Sequence, residues 1–386
     1  MKRTRPEFGV AAPHGGGNRD RKRSDSEKHR GPRGLGLTPR DEAANAWARQ
    51  LHPDSLKIDS PVMHTVSMAI PGSILRGAQT RELRSYLVGQ IARAAAVHEI
   101  DEIIVFVDSA YEAAAPDLDK TPSVICCRLL QYLECPSYLR KALFPVHPDL
   151  ALAGLLPSLD TPHHMRREDI SLYREGVVVE NKLSATGCYV NVGLSSEAYI
   201  ARPIKPGVRL TVELDDPECG TESKTVGNTI PMRGAQASSK STPTGEAIAP
   251  TTPRAKHGLY WGYQTRLAKT FSEIFTDCPY KGGYDLLIGH STNGRPIDEV
   301  NGELYSQQAV SGRKHILVVF GGNVGIENCV DSDETLATPG RDAESLFDYW
   351  VNLCPTRGSK TVRTEELVFA GLGSLRPAIF ALKASK

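Results

Sequence analysis

The 386-residue sequence has no C-x-x-C pair; its eight cysteines fall at 126, 127, 135, 188, 219, 278, 329 and 354. Adjacent Cys126 and Cys127 with no matching His cluster downstream do not fit the common zinc frameworks, so no metal is expected. There is no run of eighteen apolar residues to cross a bilayer and no apolar signal segment at the N-terminus. Reduced thiols in the nucleus or cytoplasm, and no membrane, are the expectation. A phosphate loop is missing as well, because Gly358-Ser359-Lys360-Thr361 has Leu353 where the upstream glycine belongs, which argues against NTP hydrolysis. Gly322-x-x-Gly325 is no dinucleotide fingerprint, since only about sixty residues follow it and the rest of such a domain would not fit.

Charge is present but unevenly placed. Residues 1 to 40 carry eleven Lys and Arg against four acids, a surplus of seven, and the net charge of +1 then leaves about minus six for the remainder. Residues 1–60 have few large apolar side chains and read as a disordered basic tail. Its cluster Arg19, Arg21, Lys22 and Arg23 suits a nuclear-import signal, a phosphate-binding arm or simply a solvated tail.

Order is expected from Thr65 to Ile70 as a strand, from Arg81 to Val97 as a helix and from Glu102 to Asp108 as a buried strand. Strand, helix and strand in forty-odd residues make an α/β unit. A helical pattern covers Ser123 to Phe144. From Gly176 to Leu214 short strands separated by turns predict a small antiparallel barrel, and the Ser, Thr, Gly and Pro-rich residues 219–253 read as a long flexible loop. The α/β pattern then resumes with a helix over Leu259 to Phe275, strands over Tyr284–Gly289 and His315–Phe320, and a last helix opened by Thr364-Glu365-Glu366. The expected organisation is an α/β domain in two halves, 61–165 and 258–386, interrupted by a barrel at 166–257.

Three glycine-bearing turns follow the late strands: Ile288–Gly294, Phe320–Glu327 and Asn352–Ser359. Ligands of open α/β sheets bind beyond the C-terminal ends of the strands, and glycine lets the backbone approach them closely. Three such turns within seventy residues suggest one pocket, although any one of them could be only a turn.

Eight blocks of the sequence also resemble one family. They are Pro71–Ile74, Leu83–Arg93, Cys127–Leu133, Pro162–Arg166, Arg174–Val178, Gly258–Tyr263, Val319–Gly322 and Arg363–Glu366, in that order. Together they are similar to the eukaryotic and archaeal SPOUT (trefoil-knot) methyltransferases, the subgroup with a human centromere-associated member, over residues 61 to 385. The resemblance implies an α/β SPOUT domain with a C-terminal trefoil knot, an exception to the usual absence of knots, interrupted by an inserted OB-like β-barrel. It also implies homodimerisation through the knot and S-adenosylmethionine as cofactor. Carried over by position, the cofactor pocket would use Ile288, Gly289, His290 and Thr292; Gly321, Gly322 and Gly325; and Asn352, Leu353, Cys354, Ser359 and Thr361. The long 219–253 segment and His290 depart from the pattern, the latter at a ribose or adenine contact.

Methyl transfer from a sulfonium is an in-line displacement that asks mainly for positioning. No catalytic residue is fixed by the sequence; Arg84, Arg93 and Glu327 are candidates. Arg84, Arg93, Arg166 and Arg363 are candidates for holding RNA phosphates, each with the alternative of an ordinary surface or ion-paired arginine. His163-His164 could supply a base or pack at the barrel hinge, Glu365 could orient a nucleophile or serve as a helix-start acid, and Tyr260-Trp261-Gly262-Tyr263 could stack a base or belong to the core or a dimer interface. Two functional readings follow: a nuclear or nucleolar RNA methyltransferase, by analogy acting on a uridine ring nitrogen of ribosomal RNA, or an RNA-binding or spindle-associated scaffold that keeps the fold with little catalysis.

Overall fold

Continuous apolar runs such as Ile103–Phe106 call for cover on both faces, and the sheet they build has it. A computed structural model describes residues 64–109, 112, 115, 117, 120–183, 186–219, 242–308 and 315–384. In chain order its strands are β1 (Thr65–Pro71), β2 (Glu102–Phe106), β3 (Tyr173–Leu183), β4 (Cys188–Asn191), β5 (Ala198–Ile200), β6 (Arg209–Leu214), β7 (Thr244–Ile248), β8 (Gln264–Ala268), β9 (Leu286–Pro296), β10 (His315–Phe320) and β11 (Tyr349–Asn352). The helices are α1 (Arg81–Val97), α2 (Pro122–Glu134), α3 (Ser137–Leu143), α4 (Thr252–His257), α5 (Glu273–Thr276), α6 (Ile297–Gln308), α7 (Gly325–Asp331) and α8 (Thr364–Ala384).

Six strands form one parallel sheet in the order β11-β9-β10-β1-β2-β8. Val66, Met68, Ile70, Ile103, Val105, Ile316 and Val318 face one core with Ile91 and Val88 of α1, Leu130 of α2, Val300 of α6 and Leu372 of α8. Ala69, Ile104, Phe106, Leu317 and Val319 face a second core with Phe271, Ile274, Ile326 and Trp350. Alternate residues of each central strand are thus buried on opposite sides, so no polar alternation marks them in the sequence. Thr80 caps α1 by accepting from Leu83 N at 3.3 Å, and Pro122 stands in the first turn of α2, where its missing N–H costs nothing.

Between β2 and β8 the chain builds a closed barrel in the order β3-β4-β5-β7-β6, with β5 and β7 parallel and the remaining pairs antiparallel. A buried charge cluster joins it to the parallel-sheet unit. Arg209 on β6 donates to Glu134 at the end of α2 at 2.6 and 2.9 Å and to Glu175 on β3 at 2.7 Å. Thr211 Oγ1 and Trp261 Nε1 complete the shell of Glu175, at 2.5 and 2.7 Å. Burial alone would raise the Glu134 carboxyl; the hydrogen bond from His163 and the Arg209 guanidinium overcome it and hold the group down at about 2.

Three expectations are corrected. Leu259–Phe275 is not a helix: it holds the edge strand β8 and leads into the short α5, because Tyr260 and Tyr263 are pinned in extended chain by donating to the carbonyls of Ile100 (2.7 Å) and Leu130 (3.0 Å). The 219–253 segment is not all loop, since β7 within it closes the barrel between β5 and β6 and α4 starts at Thr252. The helical stretch Ser123–Phe144 divides into α2 and α3, α2 ending before Pro136, which cannot continue a helix. The basic tail, its import-type cluster and residues 220–241 lie outside the described residues.

Candidate functional site

Because β9, β10 and β11 are parallel, their C-terminal ends open on the same edge of the sheet. The first glycine-bearing turn belongs to β9 itself. Its pairing with β11 jumps from Gly289↔Trp350 to Arg295↔Val351, so residues 290 to 294 leave that ladder as an outward excursion. Gly294 is required there, since a Cβ would sit 2.7 Å from the Val351 backbone.

The three turns touch one another. The Asn352 side-chain amide donates to the Thr292 carbonyl at 3.2 Å, and its Oδ1 accepts from Cys354 N at 3.1 Å. His290 Nδ1 lies 3.1 Å from the Val351 carbonyl and 3.3 Å from Leu353 N. Ser291 Oγ donates to Glu327 at 2.6 Å, which ties the first turn to the second. Ile288, Gly289, Gly321 and Leu353 are buried, Gly322, Gly325, Asn352 and Cys354 half-buried, and Thr292, Ser359 and Thr361 exposed. Ser359 donates to the Thr361 carbonyl at 2.8 Å within the third turn. Burial, aided by the nearby charge of Arg357, lowers His290 to about 4, so at neutral pH its imidazole is uncharged.

The turn after β1 closes the opposite side. A Cβ on Gly322, whose φ is +62°, would meet Pro71 Cγ at 2.7 Å, and one on Gly77 would meet Asn323 Nδ2 at 3.9 Å. Residues 71–77 therefore lie directly against the second turn.

The arginines separate by environment. Arg93 donates to the carbonyls of Ser158 (3.3 Å) and Leu159 (2.5 Å), which occupies its guanidinium in structure. Arg84 donates to the Ala78 carbonyl at 3.1 Å and lines a cavity of about 450 Å³ with Arg81, Lys120, His147 and Asp149. Arg166 and Arg363 are exposed. His163 and His164 are no surface bases: both place Nε2 on the Glu134 carbonyl, at 2.9 and 2.6 Å, and burial takes His164 down to about 3. Tyr260, Trp261 and Tyr263 are buried and belong to the core. Glu365 stands in the first turn of α8 beside Arg363.

Residues 65–375 match the family described as "Putative RNA methyltransferase". The chain belongs to that RNA methyltransferase family. Three relatives carry the name 28S rRNA (uridine-N(3))-methyltransferase. The Homo sapiens protein is 39% identical over 354 residues, 88% of this chain and 86% of the relative. The Mus musculus protein is 42% identical over 327 residues, 82% and 77% respectively. The Drosophila melanogaster protein is 41% identical over 332 residues, 82% of this chain but only 63% of its own length.

For a member of this methyltransferase family, the donor set at the three turns can be compared with a sulfonium nucleoside. Backbone groups of Gly321–Gly322 and the carbonyls of Leu353 and Cys354, beyond the strand ends, offer the peptide groups that an adenine edge and ribose take, while the backbone of Ile288–His290 pairs within the sheet. The neutral His290 does not repel a cation, and Glu327 places a carboxylate at the rim. The residues fit the group. One pair escaped the sequence reading: Tyr189 on β4 and Tyr199 on β5 are half-buried, with ring centroids 5.3 Å apart, beside buried Cys188, Val190, Ala198 and Ile200. The alternation of Cys188–Asn191 carried the signal, since it turns Tyr189 away from the barrel core.

Proposed function

We propose that this protein methylates the N3 nitrogen of a uridine in large-subunit ribosomal RNA, with S-adenosylmethionine as donor, in the nucleus or nucleolus. The observation that carries the reading is the meeting of the three turns through Thr292–Asn352, His290–Leu353 and Ser291–Glu327 at one edge of the parallel sheet. The activity for which the human, mouse and fly relatives are named supports the acceptor.

In this reading Ile288, Gly289, His290 and Thr292, with Gly321, Gly322, Gly325, Asn352, Leu353, Cys354, Ser359 and Thr361, hold the donor, which when bound supplies an electrophilic methyl group. Gly321 and Gly322 keep side chains out of the floor, and buried Leu353 and Ile288 exclude water from the nucleoside. Glu327, fixed by Ser291, would offer a carboxylate to the positive charge of the bound sulfonium.

RNA would lie across the barrel and the sheet edge. The barrel's strand order and its parallel β5–β7 pair support an OB-like assignment, and the Tyr189–Tyr199 pair lies on the strands that bind oligonucleotides in that fold. Exposed Arg166 and Arg363 are the better phosphate ligands, Arg84 a further one from its cavity, and Arg93 the least available. We further propose that the segment after β11 threads the knot that the family resemblance implies, and that a homodimer forms there; half-exposed Leu83 and Tyr86 on α1 and Phe369 on the neighbouring α8 support such a face.

The experiment is calorimetry with S-adenosylhomocysteine, followed by nucleoside mass spectrometry of ribosomal RNA from cells lacking the protein. Binding heat and the loss of one N3-methyluridine support the enzyme. Absence of both would leave a scaffold that keeps only the fold.

A further inference from the structure

Beside the three turns, a cluster of buried oxygens at the ends of β1 and β2 is used by none of the interactions above. Ser73, half-buried in the turn after β1, donates through Oγ to Oδ2 of Asp108, just past the end of β2. Asp108 is 6% exposed, and among the described residues its Oδ1 has no hydrogen-bond partner. Glu112, which is 2% exposed, accepts from Ser123 N at 2.8 Å and stands 3.7 Å from the half-exposed Arg76, which also donates to Ser109 Oγ at 2.9 Å. A buried carboxylate oxygen left without a donor is costly, which makes such a group beside a ligand pocket a candidate functional group.

The cluster adjoins the methyl-transfer pocket. Pro71 and Ile74, flanking Ser73, lie against Gly322, and Gly77 lies against Asn323. Buried Cys329, whose Sγ is 3.8 Å from the Gly321 carbonyl, is pushed up first by burial and then by the charges of Asp108 and Glu327. Both carboxylates are therefore within electrostatic reach of one thiol beneath the second turn, Glu327 at its far end and Asp108 on the β1–β2 side.

We infer that Ser73 and Asp108 are a proton relay for the accepting ring nitrogen, an inference that rests on the proposed uridine N3 methylation. An N3–H must be lost when the methyl group arrives. The N3 electron pair forms the new bond to the methyl carbon as the carbon–sulfur pair withdraws onto sulfur, leaving a neutral thioether. The N3 proton passes to Ser73 Oγ while the Ser73 hydroxyl proton passes to Asp108 Oδ2, and Asp108 afterwards releases it to water. Ser73 is the group that touches the base; Asp108 acts through it. Arg76, held by Ser109 and Glu112, stands on the solvent side to face the uracil carbonyl that takes up charge as the proton leaves. Burial, outweighing the Ser73 hydrogen bond, raises the Asp108 carboxyl above its ordinary value and strengthens it as an acceptor.

The test uses the full chain, an RNA carrying the target uridine, and the same RNA with 5-fluorouridine, whose N3–H is more acidic. Asp108→Asn should bind S-adenosylhomocysteine and RNA as the parent does but slow single-turnover methylation by about 10²- to 10⁴-fold. Ser73→Ala, which removes only a hydroxyl, should show the lower end of that loss, about 10²-fold. The deficit of both should shrink on 5-fluorouridine RNA, because a weaker base then suffices. Turnover of Ser73→Ala and Asp108→Asn at the parental rate, or a deficit equal on both RNAs, overturns the relay while leaving the proposed activity intact. A parent chain that binds no S-adenosylhomocysteine and methylates no uridine overturns both.

Discussion

Replacing Arg209 by Met tests the joint between the barrel and the parallel-sheet unit. The substitution keeps most of the aliphatic volume and removes a guanidinium that contacts both Glu134 and Glu175. In the parent, the interval between the ordinary glutamate value of 4.5 and about 2 corresponds to about 3 kcal/mol of stability from Glu134. Because the folded value is depressed, that contribution is complete above pH 4.5 and is lost as pH falls toward 2. In Arg209→Met two buried carboxylates lose their shared counter-charge, a situation that typically costs about 3–5 kcal/mol. For units of this size, that corresponds to a fall in Tm of roughly 6 to 20 °C at pH 7. Burial then raises the carboxyls in the variant, so they take up protons as the pH is lowered and the deficit against the parent narrows between pH 7 and 5. Adding Glu134→Gln should recover part of the loss at neutral pH. Scanning calorimetry at several pH values reads all of this. A fall smaller than about 3 °C, or a deficit that does not change with pH, refutes the reasoning.

Three shorter expectations follow from the site. Gly322→Ala combines φ +62° with a clash against Pro71, a strain of about 1–2 kcal/mol, and should weaken S-adenosylhomocysteine by roughly 5- to 30-fold by calorimetry, whereas Gly302→Ala on the open face of α6 should not. Arg363→Ala should lower RNA affinity and reduce the salt slope of binding by about one in fluorescence titrations, while Arg93→Ala should instead lower Tm, since its partners are the carbonyls of Ser158 and Leu159. Tyr189→Ala and Tyr199→Ala should each weaken single-stranded RNA by about 1–3 kcal/mol in the same titration, without changing the heat of S-adenosylhomocysteine binding.

The central strands were legible because both their faces are covered, which makes Met68–Ile70, Ile103–Phe106 and Ile316–Phe320 unbroken apolar text. The edge strand β8 was not, since Gln264, Thr265, Arg266 and Leu267 are exposed or half-exposed and carry no such run. β7 was hidden for a related reason: Thr244-Gly245-Glu246 looks like loop, and its place is fixed only by pairing with β6 from Thr211 to Leu214. At the site, glycine spacing and family resemblance pointed to the three turns, but the side chains that tie them, Ser291 to Glu327 and Asn352 to Thr292, are 36 and 60 residues apart in sequence and leave no local trace. The same holds for Ser73 and Asp108, 35 residues apart, which come together only because β1 and β2 are neighbours. Likewise the aromatic set at Tyr260–Tyr263 is core because three distant acceptors, Ile100, Leu130 and Glu175, receive its polar atoms.

The strand that opens the parallel sheet pairs with one that begins 250 residues later, Thr65 beside His315. On the ribosome, β1 and β2 must therefore wait beside an unfilled edge until nearly the whole polypeptide has emerged, while the barrel can assemble from contiguous residues in the interval. Non-local parallel pairing of this kind is slow, and its exposed edge invites association with other chains. Truncation or translational pausing ahead of β10 should thus yield aggregates containing a folded barrel rather than a partly active enzyme.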